Sequence, residues 1–125
     1  MIYGIGIDIV EVQRIEKQIS SKKDRFFTLL FTEKEREYCD GKINKAQNYA
    51  VRFAAKEAFL KALGTGLRYG LRWKEIEIAN DKLGKPKISC SGDCQKKLSS
   101  AGIKNVFVSL THTKDYAAAT VILEK

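Results

Sequence analysis

A stripe of small residues runs through the middle of the chain. Val51, Ala54, Ala55, Ala58 and Ala62 recur at helical spacing, and Phe59 widens the stripe. This pattern predicts a helix from about Asn44 to Leu63, with Gly64 placed to stop it. Side chains this small let a neighbouring layer come close, so the helix should pack tightly against a sheet. The N-terminal "IYGIGIDIV" alternates and is β-branched, and it reads as a strand. Tyr3, Ile5, Ile7 and Ile9 share one face; Gly4, Gly6 and Asp8 share the other. The glycine face is bare until Asp8, so another backbone or a ligand could approach it closely.

The remaining elements follow from local signals. "VEVQRIEKQIS" carries Val12, Ile15 and Ile19 at helical spacing, and "DRFFTLLF" reads as a short helix or turn. Thr32 and Glu35 have capping-box spacing and open a helix that Gly41 ends. "WKEIEIAN" reads as a strand, followed by a turn at Asp81 to Gly84 and a second strand. "GDCQKKLSSAG" reads as a short helix. "NVFVSLTH" and "YAAATVILEK" read as strands joined at "TKD" in a hairpin. The order predicts an α+β fold, a mostly antiparallel sheet packed on the long helix. The length of 125 residues, with one proline and no low-complexity tract, points to a single domain over 1–125.

Composition narrows the partners. A net charge of +8 and a pI near 9.4 suit an anion: nucleic acid, a membrane, a phosphorylated small molecule or an acidic protein. Charge alone does not choose among them. Cys39, Cys90 and Cys94 fit free thiols in a reducing cytoplasm, and a single histidine, His112, argues against a four-ligand zinc site. The N-terminal apolar run lacks a basic start and contains Asp8, so it is neither a signal peptide nor a membrane span. "GIGID" lacks the third glycine of a dinucleotide fingerprint. "GTG" closes a helix, where a P-loop would open one.

Two carboxylates stand out. Asp8 sits on the bare strand face, and Glu57 borders the alanine stripe between Phe53 and Lys61, at i, i+4 and i+8. Two oxygen ligands completed by waters and substrate phosphates are how Mg²⁺ is usually held, and Lys61 would suit a phosphate oxygen. Plainer roles remain open. Asp8 could cap the next helix. Glu57 and Lys61 could form a surface pair worth about 0.3–0.5 kcal/mol. Phe53 could be an ordinary core residue.

"GIGIDIVEVQRI", "FTEKEREYC", "RFAAKEAFLKALGTG", "IEIANDKLGKP" and "SLTHTKDYAAATVILE" together resemble the short bacterial class of 4′-phosphopantetheinyl transferases, the holo-[acyl-carrier-protein] synthases. The resemblance spans nearly the whole chain, least so from Ser91 to Lys104. It implies transfer of phosphopantetheine from coenzyme A to a serine of apo acyl carrier protein, in support of fatty acid biosynthesis, with release of adenosine 3′,5′-bisphosphate. It implies Asp8 and Glu57 as Mg²⁺ ligands and Lys61 at the phosphates. The general base stays open between Glu57, acting through a metal-bound water, and a neutral Lys61.

Further assignments follow from the same resemblance. Lys42, Lys45, Arg52 and His112 are candidates for the 3′-phosphate of coenzyme A. His112 follows Ser109 and Thr111 in "SLTHT", where a strand runs into a turn, and Gly64 and Gly66 would let backbone approach the nucleotide. Acyl carrier proteins are acidic and helical. Arg14, Lys22, Lys23 and Arg25 could receive such a partner around an apolar centre of Phe26 and Phe53. The family's usual homotrimer, with sites between subunits, is permitted by the apolar "YAAATVIL". A nucleic-acid-binding module is the rival. "DRFF", "YAVRF" and "LRYGLRW" interleave aromatic and basic residues, but no RRM, KH or OB signature accompanies them. The reading therefore has neither nucleic acid nor membrane as partner.

Overall fold

Strand β1 (Ile2–Glu11) runs directly into helix α1 (Val12–Ser20). Three more helices follow: α2 (Asp24–Leu30), α3 (Glu33–Asp40) and the long α4 (Lys45–Leu63). After a 3₁₀ turn at Trp73–Glu75 come β2 (Ile76–Asn80), β3 (Pro86–Cys90), α5 (Gly92–Ser100), β4 (Asn105–His112) and β5 (Tyr116–Glu124). The computed structural model describes residues 1–21 and 24–125. Lys22 and Lys23, assigned above to the carrier, lie outside the described residues.

The strands form two antiparallel sheets, β1-β5-β4 and the hairpin β2-β3. The fold is α+β, as the element order implied. The first strand closes onto the last: Ile5 pairs with Ile122, and Asp8 pairs with Ala119. One boundary differs from the sequence expectation. Trp73–Glu75 is a 3₁₀ turn and not strand, because the Glu75 carboxylate accepts from the Arg72 N–H (2.9 Å) and the Asp93 N–H (2.8 Å) and holds the chain bent.

The alanine stripe and the glycine face meet. Ala54, Ala55, Ala58 and Ala62 are buried against β1 and β5. A Cβ on Gly6 would stand 1.9 Å from the Ala58 carbonyl oxygen, and one on Gly4 2.0 Å from that of Ala62. Only glycine lets strand and helix backbones approach this closely. β1 therefore turns its glycines inward, and its isoleucines face out; Ile5, Ile7 and Ile9 are each 65% exposed. Gly64 ends α4 in the left-handed conformation (φ 83°), and Thr32 and Glu35 form the capping box of α3.

A fully buried ion pair joins the helices behind the sheet. Lys56 Nζ donates to Glu35 Oε1 (2.7 Å), the Leu30 carbonyl (2.8 Å) and the Trp73 carbonyl (3.1 Å). Glu35 Oε2 accepts from the Ile78 N–H (2.9 Å). Both charges are thus wrapped in hydrogen bonds, as burial of an ion pair requires. The network fixes α2, α3, β2 and the Trp73 turn to α4.

Candidate active site

The glycine contact decides where the charged residues fall. With β1 drawn onto α4, Asp8 comes up beside the last turns of the helix. Lys61 Nζ donates to Asp8 Oδ1 (2.9 Å) and to the Ile7 carbonyl (3.0 Å). Glu57 lies one turn before Lys61, and the Asp8 charge reaches it. Partial burial raises the Glu57 pKa first, and Asp8 raises it further; Lys61 and Arg14 pull it down. Asp8, Glu57, Lys61 and Arg14 thus form one electrostatic group drawn from β1, α4 and α1.

Two of the plainer readings do not survive. Asp8 does not cap α1: the cap position is Glu11, without a side-chain cap hydrogen bond. Lys61 engages β1, so its pairing crosses elements and is not a helix-surface ladder with Glu57. Phe53 does pack against the core, but it also lines a surface recess.

Glu57, Lys61, Gly64 and Gly66 line one open recess of about 510 Å³, together with Leu67 and Trp73. Gly64 and Gly66 both have positive φ, and a Cβ on either would meet nothing within 4 Å. Their glycines serve backbone conformation, and they leave the recess wall bare. Arg14, Phe26 and Phe53 line an adjoining recess of about 150 Å³, where the Phe26 and Phe53 rings are 6.3 Å apart. Arg25 is exposed on α2 and lines a different groove with Leu29 and Trp73.

A second cluster lies elsewhere on the same chain. Arg52, Ser109 and His112 line a recess of about 410 Å³ with Tyr38, Asn80 and Pro86. Arg52 is nine positions before Lys61, about 180° round the helix at 100° per residue. Arg52 is buried; its guanidinium donates to Asn80 Oδ1 and lies 4.2 Å from the Tyr38 ring centroid. Its buried Nε has no hydrogen-bond partner among the described residues. Lys42 lies 4.7 Å from the same Tyr38 ring. Lys45 does not join them: it pairs with Asp40 (3.2 Å) and lines a separate recess with Tyr49.

The sequence reading missed Asn80 and Tyr38. Asn80 accepts from Arg52 and donates to the Gly84 carbonyl (2.9 Å), so it clamps the β2–β3 turn to the guanidinium. Its place before "DKLGKP" was the available signal. Among the described residues no cluster of three or more histidine, cysteine or carboxylate side chains could hold a metal. Any cation at Asp8 and Glu57 would need its other ligands from substrate and water.

A family model described as the 4′-phosphopantetheinyl transferase superfamily matches residues 4–121. The chain belongs to that superfamily. Within the superfamily it is similar to holo-[acyl-carrier-protein] synthases. It is 50% identical over 125 residues to the holo-[acyl-carrier-protein] synthase of Geobacter metallireducens, covering 100% of this chain and 99% of the relative. The crystal structure of holo-[acyl-carrier-protein] synthase from Neisseria meningitidis superposes with a TM-score of 0.92 at 38% identity, covering 100% of both chains. The enzyme from Bacillus anthracis, solved in complex with CoA (3′,5′-ADP), superposes with a TM-score of 0.80 at 39% identity, covering 98% of this chain and 96% of that one. The superposition with the Neisseria meningitidis structure thus extends over the whole chain.

Proposed function

We propose that this chain transfers 4′-phosphopantetheine from coenzyme A to a serine of apo acyl carrier protein and releases adenosine 3′,5′-bisphosphate. The observation that carries this reading is the meeting of Asp8, Glu57 and Lys61 across the β1–α4 contact, in a member of the phosphopantetheinyl transferase superfamily. Two carboxylates near enough for one to raise the other's pKa suit a divalent cation, whose charge would relieve their repulsion. Asp8 and Glu57 would hold Mg²⁺, which when bound would neutralise charge on the diphosphate oxygens.

The chain's own groups do the rest. Lys61 is more than half exposed, so its ammonium can turn from Asp8 to a phosphate oxygen of coenzyme A. Glu57 is the better base for the carrier's serine hydroxyl, because the Lys61 ammonium already serves Asp8 and would serve the phosphate. The Arg14 charge reaches Glu57, and Phe26 and Phe53 line the Arg14 recess with aromatic rings, so an acidic carrier helix docked there would bring its serine towards Glu57. Such a transfer needs alignment and charge neutralisation more than covalent help.

The Arg52–Ser109–His112 recess suits the 3′-phosphate of coenzyme A, with the unpartnered Arg52 Nε as one donor. It lies round the helix from Glu57, so we propose a homotrimer in which one subunit's Arg52 and His112 complete the next subunit's Asp8–Glu57–Lys61 site. The outward face of the β1-β5-β4 sheet supports self-association. Exposed Ile5, Ile7, Ile9 and Phe107 stand there beside the half-buried Ile122, a contiguous apolar row of the kind that marks an interaction surface. No helix among the described residues is long and apolar enough to cross a membrane. A cytoplasmic setting suits the three free cysteines.

Intact-mass spectrometry of apo acyl carrier protein tests the reading. With coenzyme A and Mg²⁺ the carrier gains one phosphopantetheine; with EDTA it does not. A carrier that stays unmodified under both conditions rejects the function.

A further inference from the structure

Helix α4 buries two cations and satisfies them in different ways. Lys56 pairs with the Glu35 carboxylate, so its charge is cancelled where it lies. Arg52 is 2% exposed, yet among the described residues no carboxylate lies within ion-pair distance of it. Its partner is a neutral amide, because Asn80 Oδ1 accepts from the guanidinium. The Tyr38 ring lies 4.2 Å from the guanidinium carbon, and Nε has no partner among the described residues. A buried guanidinium without a counter-charge is costly, and it stays available to an anion from outside the chain.

Asn80 also ties this arginine to the β2–β3 turn. Its Nδ2 donates to the Gly84 carbonyl (2.9 Å), and Gly84, Lys85 and Pro86 line the same recess as Arg52. The turn is otherwise closed on itself: Asp81 Oδ1 accepts from the N–H groups of Leu83 and Lys85, each at 2.9 Å. No carboxylate lines the recess. An aspartate at position 80 would offer Arg52 the same oxygen and cancel its charge. The amide holds the arginine and leaves the charge whole.

Resting on the function proposed above, we propose that Asn80 is a positioning residue that sets specificity: its neutral amide holds Arg52 in the recess with the charge uncancelled, and so selects coenzyme A bearing a 3′-phosphate over a form ending in a free 3′-hydroxyl. A phosphate takes charge-assisted hydrogen bonds from a guanidinium, and a hydroxyl gains far less from it. Asn80 itself touches no reacting atom. Its effect belongs in binding and not in the transfer step.

Steady-state kinetics with coenzyme A and with 3′-dephospho-coenzyme A test this, with carrier mass as readout. Calorimetric titration with adenosine 3′,5′-bisphosphate and with AMP reads the same preference without turnover. The parent should favour the 3′-phosphate about tenfold or more, the usual worth of a hydrogen bond to a charged group. Asn80→Asp keeps the oxygen acceptor and the Asp81 turn bonds, so it should fold as the parent does. It should raise KM for coenzyme A about tenfold, with kcat and the KM for the dephospho form unchanged. Asn80→Leu, neutral and of similar size, releases the guanidinium without adding a charge and should lose the preference as well. A preference that survives Asn80→Leu overturns the proposal, and so does a parent that shows none. An equal loss for both substrates in either variant also overturns it, since the role of Asn80 is then merely structural. A parent that fails to modify the carrier with coenzyme A would strike the function proposed above, and the titrations would still decide the role of Asn80.

Discussion

Lys61 Nζ lies 2.9 Å from Asp8 Oδ1, joining residues 53 positions apart in the chain. The ion pair exists because Gly4 and Gly6 let β1 settle onto Ala58 and Ala62. It places a half-exposed cation and a more buried anion beside the recess lined by Glu57, Lys61, Gly64 and Gly66. Replacing Lys61 by Ala should lower kcat/KM about 100-fold, the usual loss for one charge-stabilising group at a transition state. Asp8→Asn should raise the Mg²⁺ concentration for half-maximal turnover by at least about tenfold. Magnesium titrations of both variants check this. An unchanged Mg²⁺ requirement in Asp8→Asn would remove Asp8 from the metal site.

In the proposed reaction Glu57 sets the acid limb. Its carboxylate must be ionised to hold the cation and to accept the serine proton, so kcat/KM should fall as pH drops and that carboxylate takes up a proton. Glu57→Gln should remove most turnover along with that limb. The stability of the metal-free chain should move the other way, because burial and the Asp8 charge raise the Glu57 pKa there. Between the ordinary and the raised pKa the folded chain binds more protons at Glu57 than the unfolded chain does. The stabilisation is complete below that window and is lost as pH rises through it. Glu57→Gln, which carries no charge, should therefore melt higher than the parent at neutral pH. Thermal melts at pH 4 and pH 7.5 read this directly; a lower melting temperature at pH 7.5 would contradict it.

Some of this site was legible in the sequence, and the reason is periodicity. Asp8 after two glycines, and Glu57 between Phe53 and Lys61, are local patterns that survive in one dimension. The alanine stripe, the Gly64 stop and the Thr32–Glu35 box are legible for the same reason. Long-range partners are not. Lys56 reads as one more surface lysine on a helix, yet it is fully buried against Glu35, 21 positions away. The pairing of β1 with β5, which brings Ile5 opposite Ile122, likewise has no local signature. Nor has the grip of Asn80 on Arg52, since each residue alone is an ordinary polar side chain.

The strand–helix contact can be tested by a single methyl group. A Cβ on Gly6 would press 1.9 Å from the Ala58 carbonyl oxygen and 2.8 Å from the Ala62 nitrogen, both backbone atoms that cannot swing aside. Gly6→Ala should cost about 1–3 kcal/mol of stability. It should also lower kcat/KM, because Asp8 would be pushed away from Glu57. Gly41→Ala is the control: its Cβ would meet only ordinary contacts at 3.6 Å, so stability and activity should barely change. Denaturant unfolding with parallel kinetics distinguishes the two. Equal effects from both substitutions would deny the Gly6 contact any special role.

Subunit sharing makes a quantitative prediction. If Glu57 of one subunit works with Arg52 of the next, Glu57→Gln and Arg52→Gln damage different halves of each site. Arg52→Gln keeps a planar amide near Asn80 and Tyr38, so the fold should tolerate it. Each variant alone should be nearly inactive. Co-expressed in equal amounts, they form mixed trimers in which about one quarter of the interfaces unite two intact halves. Turnover should then recover to about a quarter of the parent value, where a site contained within one chain would give only the sum of the two variants. Adding Ile7→Glu to both chains sets a like charge on every copy of the exposed β1 face. It should abolish the recovery and shift sedimentation to the monomer. Recovery that persists with Ile7→Glu would move the interface to another face.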